Sequence, residues 1–138
     1  MDLSPKLFTV AEADAMLTLV APLIQQLQRL EVSLLGTQEV LEEACRKLEV
    51  GNGHPKDQLQ AQAEALTAEA ERLAGSIQSV LKDLEALGCL VKDLGLGLVD
   101  FYTIRDGQLV FLCWKLGEDR IRFWHDVEDG FAGRQPLE

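Results

Sequence analysis

Four side chains in the last third of this 138-residue chain are of types that bind metals or move protons: Asp100, Cys113, Glu118 and His125. Thiolate, imidazole and carboxylate are all suitable ligands for a borderline transition metal such as zinc. A Cys and a His, with a carboxylate to orient the imidazole, are equally the parts of a nucleophilic pair. No spacing motif stands behind either chemistry. The three cysteines, Cys45, Cys89 and Cys113, are an odd count without close spacing. That argues against a disulfide framework and against a CxxC zinc site, and the plain alternative is three reduced, interior thiols. His54, beside Pro55, reads as solvated loop surface. Gly95-Leu96-Gly97 lacks the helix-opening third glycine of a phosphate cradle. No Ser-His-Asp order or paired-carboxylate motif stands out.

Strands must bring the four residues together. Every aromatic residue except Phe8 falls between Phe101 and Phe131, which marks a compact β unit. Leu98 to Ile104 and Leu109 to Lys115 are rich in β-branched and aromatic residues, and Asp106-Gly107 between them is the strongest two-residue hairpin signal. With that corner, Ile104 faces Leu109, Tyr102 faces Phe111 and Asp100 faces Cys113 on one side of the ribbon. Thr103 with Val110, Phe101 with Leu112 and Val99 with Trp114 share the other, which is apolar enough to pack on helices. A mid-strand carboxylate among aromatics needs a partner, and Lys92, Lys115 and Arg122 are at hand for Asp100.

The strand from Ile121 to His125 follows a turn at 117–120. Its register decides the chemistry. A four-residue turn pairs Leu112 with His125 and sends the imidazole to the apolar face. A five-residue turn pairs Cys113 with His125 and gathers Asp100, Cys113 and His125 on one patch. A slip of one residue exchanges the two outcomes.

The preceding segment is helical. Thr9 and Glu12 make a capping box with Phe8 at the staple position, so a helix starts near Val10. Val20, Leu23, Leu27, Leu30, Leu34, Thr37, Leu41, Ala44 and Leu48 form a seam spaced by threes and fours. Pro22 predicts a kink or an unpaired carbonyl, and Gly36-Thr37 a possible break into two helices. Residues 51–55 (Gly-Asn-Gly-His-Pro) stop the helix. Leu59, Ala63, Leu66, Ala70, Leu73, Ile77, Val80, Leu84 and Leu87 repeat the seam up to Gly88. The reading is a single α+β domain: a long antiparallel helical hairpin over 9–87, a small antiparallel β meander over 88–126 and an irregular tail over 127–138.

Composition narrows the function. The net charge is −10, and acids exceed bases in every section of the chain. No basic stripe is present to displace phosphate counterions, so nucleic acid and anionic membranes are disfavoured partners. No apolar run approaches a membrane span, and Met1 to Thr9 lack a signal-peptide layout. A cytoplasmic location is the expectation.

Several runs are distinctive: Gly88-Cys89, Val91 to Leu94, Gly97 to Phe101, Leu112 to Glu118, Trp124-His125, Gly130 to Leu137, and the start Phe8 to Ala13. Together they make the whole chain resemble a small bacterial domain-of-unknown-function family, number 2203. The resemblance implies no cofactor, activity or catalytic residue, although its motifs coincide with Asp100, Cys113, Trp114, Glu118 and His125. Two functional expectations follow. One is an oligomerising interaction module that assembles as a homo-oligomer, or with a protein partner, through the hairpin, because two helices alone leave part of each seam uncovered. The alternative is a small metal-binding protein or enzyme using Asp100, Cys113, His125 and Glu118.

Overall fold

The computed structural model describes residues 4–51, 53 and 55–138. His54 therefore lies outside the described residues. Two long helices, α1 (Val10–Val50) and α2 (Lys56–Leu87), form the hairpin. Five antiparallel strands follow in simple meander order: β1 (Leu90–Asp93), β2 (Leu98–Arg105), β3 (Gln108–Lys115), β4 (Phe123–Asp126) and β5 (Gln135–Pro136). The α+β architecture is the expected one.

The chain divides into two compact units, Leu27–Val80 and the remainder. In the first, burial follows the predicted seams: Leu27, Ala44, Leu59, Leu73 and Val80 are buried, while Leu30, Leu34, Leu41 and Leu48 are half-covered. α1 runs unbroken through Gly36. The cost of glycine there, up to about 1 kcal/mol, is outweighed by the long helix on either side; the Thr37 hydroxyl is bonded back to the Ser33 carbonyl at 2.9 Å. Pro22 likewise sits within the helix.

The second unit carries the sheet. At its helical start the Thr9 amide donates to Glu12 Oε1 at 2.9 Å and the Glu12 amide to Thr9 Oγ1 at 3.1 Å, the reciprocal capping box. These bonds hold the Glu12 carboxyl below its usual range. The Phe8 amide donates to the Tyr102 carbonyl at 2.8 Å, and the Phe8 ring meets Phe101 edge-on at 5.1 Å. Asp14 Oδ1 accepts from the Ile121 amide at 2.6 Å. Ala13, Val20, Ile24 and Leu84 supply apolar surface, as do Val99, Phe101, Leu112 and Trp114 from one sheet face, and all are almost fully buried. Each large side chain so buried stabilises the fold by roughly 1.5–3 kcal/mol.

The β2–β3 register is the predicted one at all positions from Leu98↔Lys115 to Arg105↔Gln108. Asp106 (φ 51°) and Gly107 (φ 77°) both adopt left-handed backbone, the type I′ corner that matches strand twist. Gly97 (φ 70°) closes the β1–β2 connection, where any Cβ would stand 2.5 Å from that of Leu116.

Two expectations need correction. Neither predicted β3–β4 register occurs: His125 lies opposite Phe111 and Cys113 opposite Phe123. The connection is longer because the 116–122 loop organises itself. Glu118 accepts from the Lys115 amide at 2.7 Å and from the Trp114 indole, through its backbone carbonyl, at 2.9 Å; Arg122 forks onto Asp119. The tail is also not irregular. A 3-10 turn spans Phe131–Gly133, and β5 pairs Phe123 with Pro136 and Trp124 with Gln135.

Candidate metal centre

β2, β3 and β4 each bring one residue to the same face of the sheet. Asp100 faces Cys113 directly. His125, opposite Phe111, stands two residues further along, which preserves the face because side chains alternate with period two. The donor atoms of Asp100, Cys113 and His125 all lie within 4.8 Å of one another. The three residues are only 1–3% exposed. They are the group of three metal-donor side chains among the described residues.

The imidazole is locked. Nδ1 lies 2.8 Å from the Asp126 carbonyl, so Nδ1 carries the hydrogen. Nε2 lies 3.1 Å from Asp100 Oδ2. A neutral ring then aims a bare lone pair at a carboxylate oxygen, a contact that requires a proton or a cation between them. The other carboxylate oxygen, Asp100 Oδ1, is buried without a hydrogen-bond partner. Burial drives the Asp100 carboxyl upward from its ordinary range, and attraction to His125 and Lys92 offsets this only in part. Burial, helped by the Asp100 charge, pushes the Cys113 thiol up to about 12. Cys89 is a comparison within the same unit: burial raises it to about 11, and its thiol meets only the Leu84 carbonyl, at 3.4 Å.

No Cys-His contact of the kind a nucleophilic pair uses is present among the described residues. A Cys-His pair needs one imidazole nitrogen on the sulfur, and here one is given to Asp126 and the other to Asp100. The thiol is also held protonated, and the thiolate is the reactive form. The metal reading fits. A ligating histidine commonly donates its second N–H to a backbone carbonyl, as His125 does. A cation held here would give Asp100 the partner that its Oδ1 lacks.

The remaining predicted residues fall elsewhere. Glu118 is not part of the cluster: both its oxygens are held by Arg134, at 3.0 and 2.6 Å. Asp100 takes none of the predicted cations as a direct partner. Lys92 sits 4.6 Å above the Phe111 ring, Lys115 lies near Phe131 and Arg122 is on Asp119. Trp114 is core, and Trp124 lies beneath the Arg105 guanidinium at 5.1 Å. Sequence reasoning missed Arg134, whose second terminal nitrogen also reaches the Cys113 carbonyl at 3.2 Å. The available signal was a lone basic residue between Phe131 and Pro136 in an acidic chain. A cavity of about 480 Å³, with Asp14, Arg105, Arg120 and Arg122 in its lining, does not include the cluster.

Fold and site define a helical-hairpin α+β protein with a buried mixed-donor centre on its meander. Residues 6–137 match the family described as uncharacterized conserved protein (DUF2203), and the chain belongs to that family. No curated protein and no solved structure matches it. No helix among the described residues is long and apolar enough to cross a membrane.

Proposed function

We propose that this protein binds a divalent transition metal, zinc or a close relative, through Asp100, Cys113 and His125. The observation that carries the reading is the orientation of His125: its Nδ1 lies on the Asp126 carbonyl, and its Nε2 lies on a carboxylate that has a second oxygen without a hydrogen-bond partner. The sulfur, nitrogen and oxygen donor set selects against magnesium and calcium, which take oxygen ligands. Three protein ligands leave one position of a tetrahedral ion for water or a small ligand. A thiolate ligand requires reduced cysteine, so a reducing, cytoplasm-like compartment is part of the proposal.

The test is metal content and affinity. Protein purified without chelator is expected to carry substoichiometric to stoichiometric zinc, and metal-free protein to bind one Zn²⁺ with a rise in Tm. Titration that shows no saturable site removes the reading.

Self-association through the hairpin is a second proposal, independent of the metal. Val32, Leu35 and Val40 are exposed on α1 and the mid-helix seam is half-covered. A second copy would bury this surface. Light scattering that gives a monomer at all micromolar concentrations rules it out.

A further inference from the structure

Two buried side-chain nitrogen or oxygen atoms among the described residues have no hydrogen-bond partner: Asp100 Oδ1, an acceptor, and Arg134 Nε, a donor. Both belong to residues whose side chains approach the Cys113 thiol, which stands between them as a weak donor to the carboxylate and a weak acceptor from the guanidinium. Orphaned buried polar atoms are uncommon, and each costs on the order of its desolvation. That an acceptor and a donor of opposite charge both adjoin one sulfur calls for a single explanation.

Arg134 is held with little freedom. Its fork grips Glu118 through two bonds, at 3.0 and 2.6 Å. One terminal nitrogen also reaches the Cys113 carbonyl at 3.2 Å. The guanidinium lies 4.1 Å from the Phe123 ring centroid and 4.7 Å from that of Phe131. Each terminal nitrogen thus has a partner, and Nε is the nitrogen left without one. A neutral thiol is a poor acceptor; a thiolate is a good one.

We propose that Arg134 is the outer hydrogen-bond donor to the metal-bound thiolate of Cys113, positioned for that role by Glu118. The inference rests on the metal reading above. When M²⁺ displaces the thiol hydrogen as H⁺, released to solvent, Sγ becomes an anion that accepts from Nε–H, and the ion itself meets Oδ1 of Asp100. One exchange satisfies both orphans. Arg134 is a positioning residue and not a ligand. Glu118, a candidate ligand by sequence, acts at one remove.

The experiment compares full-length wild type, Arg134→Gln, Arg134→Lys and Glu118→Gln. Zn²⁺ affinity is measured by competition with a chromophoric chelator, and Co²⁺ is used as a spectroscopic probe. Arg134→Gln is expected to weaken Zn²⁺ binding by about 10–100-fold. It should also move the sulfur-to-cobalt charge-transfer band to lower energy, because a thiolate that loses a donor gives up its electron more readily. Arg134→Lys retains the charge without the fork, and Glu118→Gln frees the fork; both should shift the band in the same direction by less. If Arg134→Gln does not fold, those two milder variants carry the test. Variants that fold, bind Zn²⁺ within twofold of wild type and leave the band in place overturn the inference. A wild-type protein that binds Co²⁺ without a sulfur band, or not at all, overturns the metal reading and this inference with it. The two failures are therefore distinct.

Discussion

Cys89 and Cys113 lie in two regions of the same compact unit, and both are buried. At the junction of α2 and β1, the Cys89 thiol meets only the Leu84 carbonyl, so it behaves as a small hydrophobe. On the sheet face opposite Val99, Phe101, Leu112 and Trp114, Cys113 has a carboxylate, an imidazole and a guanidinium for neighbours. Burial alone raises both thiols and does not separate a structural cysteine from a functional one. The separation comes from convergent polar groups whose needs the protein itself leaves unmet.

The largest expected effect that sharpens this contrast is on metal binding. Cys113→Ser, Asp100→Asn and His125→Ala should each weaken Zn²⁺ binding at least about 100-fold, since each removes or weakens one ligand of three. Cys89→Ala should leave it unchanged. Calorimetric titration decides; equal losses at both cysteines would break the comparison. Next is pH. Binding must displace the Cys113 proton, so affinity should rise about tenfold per pH unit for each proton released, across the range below the thiol's raised value. A pH-independent affinity would mean that the thiol is not a ligand.

Alkaline stability comes third. Both folded thiols titrate above the ordinary value of 9.0, Cys89 at about 11 and Cys113 at about 12. Folding therefore favours the protonated forms. Their stabilisation is intact below pH 9 and is lost as pH rises through 11 to 12, so the Tm of metal-free protein should fall over that window. Cys89→Ala should make the fall roughly half as steep between pH 9 and 11 and leave the part due to Cys113. At neutral pH the same substitution should cost only about 1 kcal/mol, the usual scale for a small core truncation, read from denaturant unfolding. The smallest effect is chemical access. In native protein an alkylating reagent should label exposed Cys45 and spare the other two.

Much of the fold was legible in the sequence, because its signals are local. The capping box at Thr9 and Glu12 placed the start of α1, and Asp106-Gly107 set the pairing of β2 with β3 across its whole length. The β3–β4 register was not legible. It depends on hydrogen bonds from Glu118 and Asp119 within a loop that has no common turn signature. The cluster of Asp100, Cys113 and His125 was nonetheless one of the two anticipated outcomes, since a shift of two residues keeps the face. Glu118 was misassigned because its carboxylate answers to Arg134, a tertiary pairing that no spacing reveals. Arg134 was missed for the same reason: two glycines and a proline nearby hid a strand of two residues that ties the tail to β4.

The bond from the Ile121 amide to Asp14 spans 107 residues of chain. Such a closure has a large loop entropy and belongs late in folding. The unit of residues 27–80, by contrast, closes over shorter separations along the polypeptide. During synthesis the beginning of α1 must therefore wait, with its apolar side unsheltered, until most of the chain has left the ribosome. For that interval Phe8 lacks Phe101 and Asp14 lacks Ile121, the partners that each has in the finished fold.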